Sequence, residues 1–139
     1  SAYLIDQPLA AAIGAKMPIE TPTGSMIVDI GGGQVGCAVI SLGGIVAAGG
    51  ARAGGDKLNE AISTYVRRIH NLVIGEKMSE DVKIAIGSAL KISPVKKIEV
   101  KGRDAISGMP KTITVDSNEV TEAIAPVLVG IVSSIKGVL

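Results

Sequence analysis

"SMIVDIGGGQVGCAVISLGG", residues 25–44, sets three consecutive glycines between two apolar runs, one residue beyond Asp29. Runs of this length, rich in Val and Ile and bounded by glycine, favour strands. Three residues without side chains at the joint admit two readings. Either the chain turns through backbone angles that a Cβ would forbid, or another group comes closer to the backbone than a Cβ allows. In the second case successive N–H groups form a concavity suited to an anion. Asp29, at the end of the first strand, is placed to hold a water on a divalent cation. The residues alone leave the tight turn and the anion site both open, because a glycine run is a weak motif.

Working outward, "IVAAGGARA" (45–53) reads as a third strand, and the short spacings make an antiparallel meander. Upstream, "YLID" (3–6) is a short apolar strand candidate and "PLAAAIGA" (8–15) a short helix with Pro8 in its first turn. "KMPIETPTG" (16–24) is a connecting loop. Downstream the period changes. Leu58, Ala61, Ile62, Tyr65, Val66 and Ile69 recur at helical spacing within 54–72, so one stripe faces a sheet. Asp56 lies near that helix's N-terminus, where a carboxylate suits the dipole. A second glycine pair, Gly54-Gly55, opens it. It reads as a sharp strand-to-helix turn or as close approach to a sugar or phosphate. Ser79 is the expected N-cap of a further helix. Residues 96–102 and 111–117 alternate as a hairpin, and Asp116 or Ser117 caps a last helix. Its stripe is Val120, Ile124, Val127, Leu128, Ile131 and Ile135, and Pro126 is expected to kink it.

Composition narrows the function classes. A chain of 139 residues with 47% apolar and 19% charged residues can bury a core as one domain. A net charge of +1 gives no electrostatic case for nucleic acid or an acidic membrane surface. No apolar run approaches the roughly 20 residues of a membrane helix, and no signal peptide is expected. Cys37 stands alone, which implies a reducing, cytoplasmic setting. Phe and Trp are absent and Tyr occurs twice, so Ile, Val, Leu and Ala must fill a core that aromatic residues usually dominate. An engineered or reconstructed sequence and a natural Gly/Ala-rich one both fit. His70 has no nucleophile or carboxylate at a telling spacing and reads as a surface helix residue. Arg67-Arg68 and Lys96-Lys97 read as solvated faces, and Cys37 as a small core residue. One Cys and one His cannot build a zinc site.

The segments "DQPLAAAIGAKMPIETPTGSMIVDIGGG", "VISLGGIV", "GGDKLNEAISTYVRR" and "VKIAIGSA", in this order and spacing, resemble the second half of the MreB family of bacterial actin homologues. The resemblance covers nearly the whole chain; actin, the Hsp70 ATPase domain and sugar kinases share the fold more remotely. It implies an α/β, ribonuclease H-like (actin-like ATPase) half-domain over 1–139. The IIA-like core would span 1–75 and 117–139, and a small α+β, IIB-like insertion 76–116. It implies ATP and Mg²⁺ as ligands. "DIGGG" would be the second phosphate-binding hairpin, with Asp29 near the Mg²⁺ water shell and Gly31, Gly32 and Gly33 near the phosphates. Gly54, Gly55 and Asp56 would lie near ribose and phosphates, and Lys83 near the adenosine. Gln7 stands where the family positions the attacking water.

Departures from the family pattern qualify this. Gln34, Val35 and Gly36 replace the usual Thr-Thr-Glu after "DIGGG", and Ala85 replaces a usual Glu. The first phosphate hairpin and the adenine loop belong to parts of the family not spanned here. ATP/Mg binding is therefore expected to be weak or absent and hydrolysis negligible, since catalysis needs both positioning and charge stabilisation. Beyond the "MIVDI" strand the sheet edge would be open. "YLID" is expected to dock there, within the chain or swapped between two chains as a homodimer. No lipid binding is expected. The favoured functional reading is an isolated or engineered half of an MreB-like protein, self-associating, with a vestigial phosphate hairpin. The alternative is an ATP/Mg-binding module or filament subunit of a cell-shape cytoskeletal protein in which two copies form the nucleotide site.

Overall fold

The computed structural model describes residues 3–139. They form two compact units: the chain up to Gly55 together with Gly130–Leu139, and Asp56–Val129. The elements are α1 (Gln7–Gly14), β1 (Ser25–Ile30), β2 (Val35–Ser41), β3 (Gly44–Ala51), α2 (Gly55–His70), β4 (Leu72–Val73), α3 (Glu76–Ile86), β5 (Lys97–Asp104), β6 (Pro110–Asp116) and α4 (Ser117–Val138). Two helices, α2 and α4, each contribute to both units. The insertion boundary at 76 lies inside the second unit, because α2 and most of α4 pack with β4–β6 there.

In the first unit, β1, β2 and β3 form the antiparallel meander expected from the sequence, with β2 in the centre. Cys37 and Ala38 are neighbours in β2, point to opposite faces, and are both buried. Both faces of the central strand are therefore covered. Helix α1 packs on β1 and β2, with Ala12 fully buried. The end of α4 closes on β3, where Val138 takes the room a Gly49 side chain would need. Cys37 Sγ lies 3.7 Å from Gly49 O and 4.0 Å from Ser134 O, a small core residue as expected. Residues 3–6 form no strand; Leu4 is fully exposed and β1 pairs with β2 alone among the described residues. The expected docking of "YLID" beside β1 within the chain is thus corrected. Pro8 starts α1 immediately afterwards, and the tetrapeptide has no strand within the described chain to satisfy its backbone.

The glycine triplet joins β1 to β2. Neither Gly31 nor Gly33 takes a left-handed φ, and a Cβ on Gly33 would meet nothing. Gly31 N–H donates to Gln34 O at 2.9 Å and Gly31 O accepts from Gly55 N–H at 2.9 Å. The close approach occurs opposite: a Cβ on Gly54 would collide with Gly31 O and lie 2.8 Å from Gly32 O. Close backbone packing therefore requires the bare residue at Gly54, and not at Gly33.

In the second unit, β4, β5 and β6 form an antiparallel sheet. Its core joins Ile62, Tyr65 and Val66 of α2, Val82 and Ile86 of α3, Val100 and Val115 of the sheet, and Val120 and Ile124 of α4. The helical stripe read in α2 packs on this core, except that Ile69 is half-exposed. Helix α2 ends at His70, two residues before the predicted Leu72; Asn71 follows at φ 53°, and Leu72 starts β4. Helix α3 begins at Glu76 after an extended Gly75. Ser79 is therefore not its N-cap but a buried internal residue that donates to Gly75 O at 3.2 Å. Helix α4 runs through Pro126 without a break in its assignment. By length and composition it is apolar enough to cross a membrane, against the expectation that no segment is. Its Val120 and Ile124 belong to the second unit's core, and Glu119 and Glu122 lie in its first turns.

His70 does have a carboxylate partner, 49 residues away: its Nε2 lies 2.7 Å from Glu119 Oε1. Tyr65 O–H donates to the same oxygen at 3.5 Å. Glu119 Oε2 accepts from Asp116 N–H at 3.0 Å while Asp116 Oδ1 accepts from Glu119 N–H at 2.9 Å. This reciprocal pair is a capping box with Asp116 as the cap. Burial, then the charges of Glu119 and Glu122, pushes the Tyr65 hydroxyl above its ordinary pKa.

Two outcomes follow from these contacts. Gly54→Ala should lower stability by about 1–3 kcal/mol in urea denaturation because it forces backbone apart, whereas Gly33→Ala should change it by less than about 0.5 kcal/mol. A double-mutant cycle of His70→Ala and Glu119→Gln should show a coupling of about 1 kcal/mol; strictly additive effects would mean that the pair contributes nothing.

Candidate functional site

The first unit carries a cavity of about 230 Å³ lined by Gln7, Pro8, Asp29, Gly31, Gly32, Gly33, Gln34 and Gly36. Helix α1 supplies Gln7 at its first position, and β1 supplies Asp29 one residue before its end. Gln7 Nε2 donates to Asp29 Oδ2 at 3.0 Å. That bond uses one oxygen of Asp29 and the amide nitrogen of Gln7. The N–H groups of Gly32 and Gly33 donate to no protein group among the described residues. With no Cβ beside them, they are available to an anion's oxygens.

The charge balance of this cavity is distinctive. Its lining holds one carboxylate and no Lys or Arg. A bare polyphosphate would meet Asp29 with only neutral donors opposite it. A magnesium complex changes the sign of that contact, because Mg²⁺ keeps several waters and is commonly held by one or two carboxylates plus phosphate oxygens. No group of three or more His, Cys, Asp or Glu able to hold a metal occurs among the described residues. The donor set thus fits a cation held through water and phosphate, and does not fit a cage built of protein alone.

Gln7, Asp29, Gly31, Gly32 and Gly33 come together here, and Gly54 and Gly55 abut the turn through Gly31 and Gly32. Gly31 has both its backbone groups engaged within the protein, so Gly32 and Gly33 are the open pair. Asp56 and Lys83 belong to the second unit. Asp56 lines a cavity of about 510 Å³ with Asn59, Glu60, Ser63, Thr64, Glu76 and Ser79. Lys83 lies in the last turn of α3, outside that lining. Asn59 is 4% exposed, and its Oδ1 has no hydrogen-bond partner. The sequence reading passed over this polar wall. Its signal was legible: Asp56, Asn59, Glu60, Ser63 and Thr64 recur at intervals of three and one, the mark of a single helix face.

Comparisons with known proteins identify the family. The family profile described as MreB/Mbl protein matches residues 1–139. The cell shape-determining protein MreB of Escherichia coli (strain K12) is 50% identical over 133 residues, covering 96% of this chain and 38% of the relative. The cell shape-determining protein Mbl of Bacillus subtilis (strain 168) is 44% identical over 137 residues, covering 99% and 41%. Among solved structures, MreB5 of Spiroplasma citri bound to ADP superposes with a TM-score of 0.93 at 34% identity, over 96% of this chain and 41% of that one. The same protein bound to AMPPNP gives 0.90 at 35%, over 94% and 39%. The chain spans about two-fifths of the length of these relatives. With a full-length family match, close to half identity and superposition over nearly every described residue, the chain belongs to the MreB/Mbl family of actin-like cell-shape proteins, of which it has the α/β, actin-like half-domain fold.

Proposed function

We propose that this chain is the part of an actin-like, cell-shape cytoskeletal protein that grips the phosphates of an adenine nucleotide as their magnesium complex. The observation that carries it is the pairing of Gln7 with Asp29 at 3.0 Å beside the free N–H groups of Gly32 and Gly33. The MreB5 structures similar to it contain ADP and AMPPNP. Asp29 would orient a water of the Mg²⁺ shell, Gly32 and Gly33 would donate to phosphate oxygens, and Gln7 Oε1 would hold a water near the terminal phosphate. Magnesium, when bound, supplies the positive charge that this lining lacks. The family resemblance alone supports Asp56 and Lys83 as contacts of the ribose and the adenosine. Binding is weak, because neutral N–H donors compensate little of a polyphosphate's charge. A cytoplasmic location and assembly into filaments follow from the same family reading.

A second reading, self-association as a homodimer, is favoured by the sheet edges. Strand β3 is eight residues, "GIVAAGGA", with no charge and no proline, the devices that usually blunt an edge. Among the described residues neither β1 nor β3 has a partner on its outer side.

Calorimetric titration with Mg·ADP tests the first reading. Asp29→Ala should weaken binding at least about tenfold, the order expected when a charge-assisted contact is lost, and chelating the magnesium should abolish it. Undiminished binding by Asp29→Ala would sink the proposal. Native mass spectrometry at micromolar concentration tests the second: a dimer is expected, and a spectrum of monomer alone refutes it.

A further inference from the structure

The phosphate cavity lacks a cation, yet one stands at its border. Ile30 pairs with Val35, and Val35 pairs with Ala51, so the ends of β1 and β3 and the start of β2 form one row across the sheet. The meander therefore returns β3 to the same end of the sheet as the glycine turn. Arg52 directly follows β3, as Gln34 directly precedes β2. A second cavity, of about 300 Å³, lies there, lined by Gln34, Val35, Gly36, Gly49, Gly50, Ala51 and Arg52. It shares Gln34 and Gly36 with the phosphate cavity. Arg52 is the one charged side chain in its lining.

Three features make this arginine available to a ligand. It is exposed. It forms no ion pair with another described residue. The ground between it and the turn is nearly bare, because Gly36, Gly49, Gly50 and Ala51 offer no side chain larger than a methyl. The bareness is required at Gly50, whose Cβ would collide with Val35 O. Strands lie about 5 Å apart, so a side chain as long as arginine crosses one strand spacing and reaches the turn.

We propose that Arg52 is the cation that engages the phosphate chain of the bound nucleotide, reaching across Gln34 and Gly36 from the β3 side of the turn. This rests on the phosphate-gripping reading above. A planar guanidinium pairs well with phosphate oxygens and stays charged at any working pH. It supplies from outside the cavity the compensation that the lining does not, and leaves Asp29 to the magnesium waters.

The test is calorimetric titration of the 139-residue chain and its Arg52→Gln and Arg52→Lys variants with Mg·ADP and with magnesium pyrophosphate, which has no nucleoside. Each is run at about 0.05 M and about 0.5 M salt. Arg52→Gln should weaken both ligands about fivefold at low salt, the size of an exposed charge pair. The gap should close to less than about twofold at high salt, where such pairs are screened. Arg52→Lys should keep most of the low-salt affinity. An Arg52→Gln affinity equal to wild type at low salt overturns the proposal, and so does a loss independent of salt, which would mark a structural role. Binding by wild type that Asp29→Ala weakens and Arg52→Gln does not overturns the arginine alone. Absence of binding by wild type overturns the phosphate site and the arginine together.

Discussion

Two stretches of main chain meet with no side chain between them: Gly54 lies against the peptide groups of Gly31 and Gly32, and Gly55 N–H donates to Gly31 O. This contact ties the turn after β1 to the entry of α2. Any Cβ at Gly54 would push the turn away and release the orientation of the Gly32 and Gly33 N–H groups. The turn depends on that backbone contact more than on any side chain, since Gly31, Gly32 and Gly33 carry none. The neighbouring bare positions work in the same way. Gly49 admits the last turn of α4, and Gly50 lets β3 lie close to Val35.

Charge gives the site its character. Its lining offers one carboxylate and neutral donors, a poor receptor for a naked anion and a reasonable one for an anion already carrying a divalent cation. Gln34, Val35 and Gly36, which follow the glycine triplet, bear on this directly. Val35 turns into the core at 2% exposure and offers no hydroxyl. Gln34 remains in the turn, where its carbonyl holds Gly31 N–H. Gln34 therefore supports the turn's shape through its backbone.

Much of the fold could be read from the chain. The three strands of the meander, the amphipathic α2, the β5–β6 hairpin and the cap of α4 follow from periods of two and 3.6 residues and from glycine and Asp punctuation, which are local properties. The readings that differed were those that depended on a partner. "YLID" has strand composition, but a strand needs a neighbour and the described chain offers it none. Ser79 has capping chemistry, but Gly75 begins α3 a turn earlier and leaves the hydroxyl to bond backwards to Gly75 O. His70 has no carboxylate nearby in sequence, and its partner Glu119 arrives only when α4 packs against α2.

Sequence alone determined that three side-chain-free residues follow Asp29 between two strands, and that the order of motifs is that of the MreB family. These are facts of composition and spacing, fixed before folding. Tertiary structure decided what stands opposite those glycines. A hairpin turn and an anion cradle are written with the same letters. Opposite the turn lies the bare Gly54, and beside it the Gln7 amide stands 3.0 Å from Asp29. Contacts between residues 22 or more positions apart leave no local periodicity, because they are set by how elements pack and not by the sequence of any one of them.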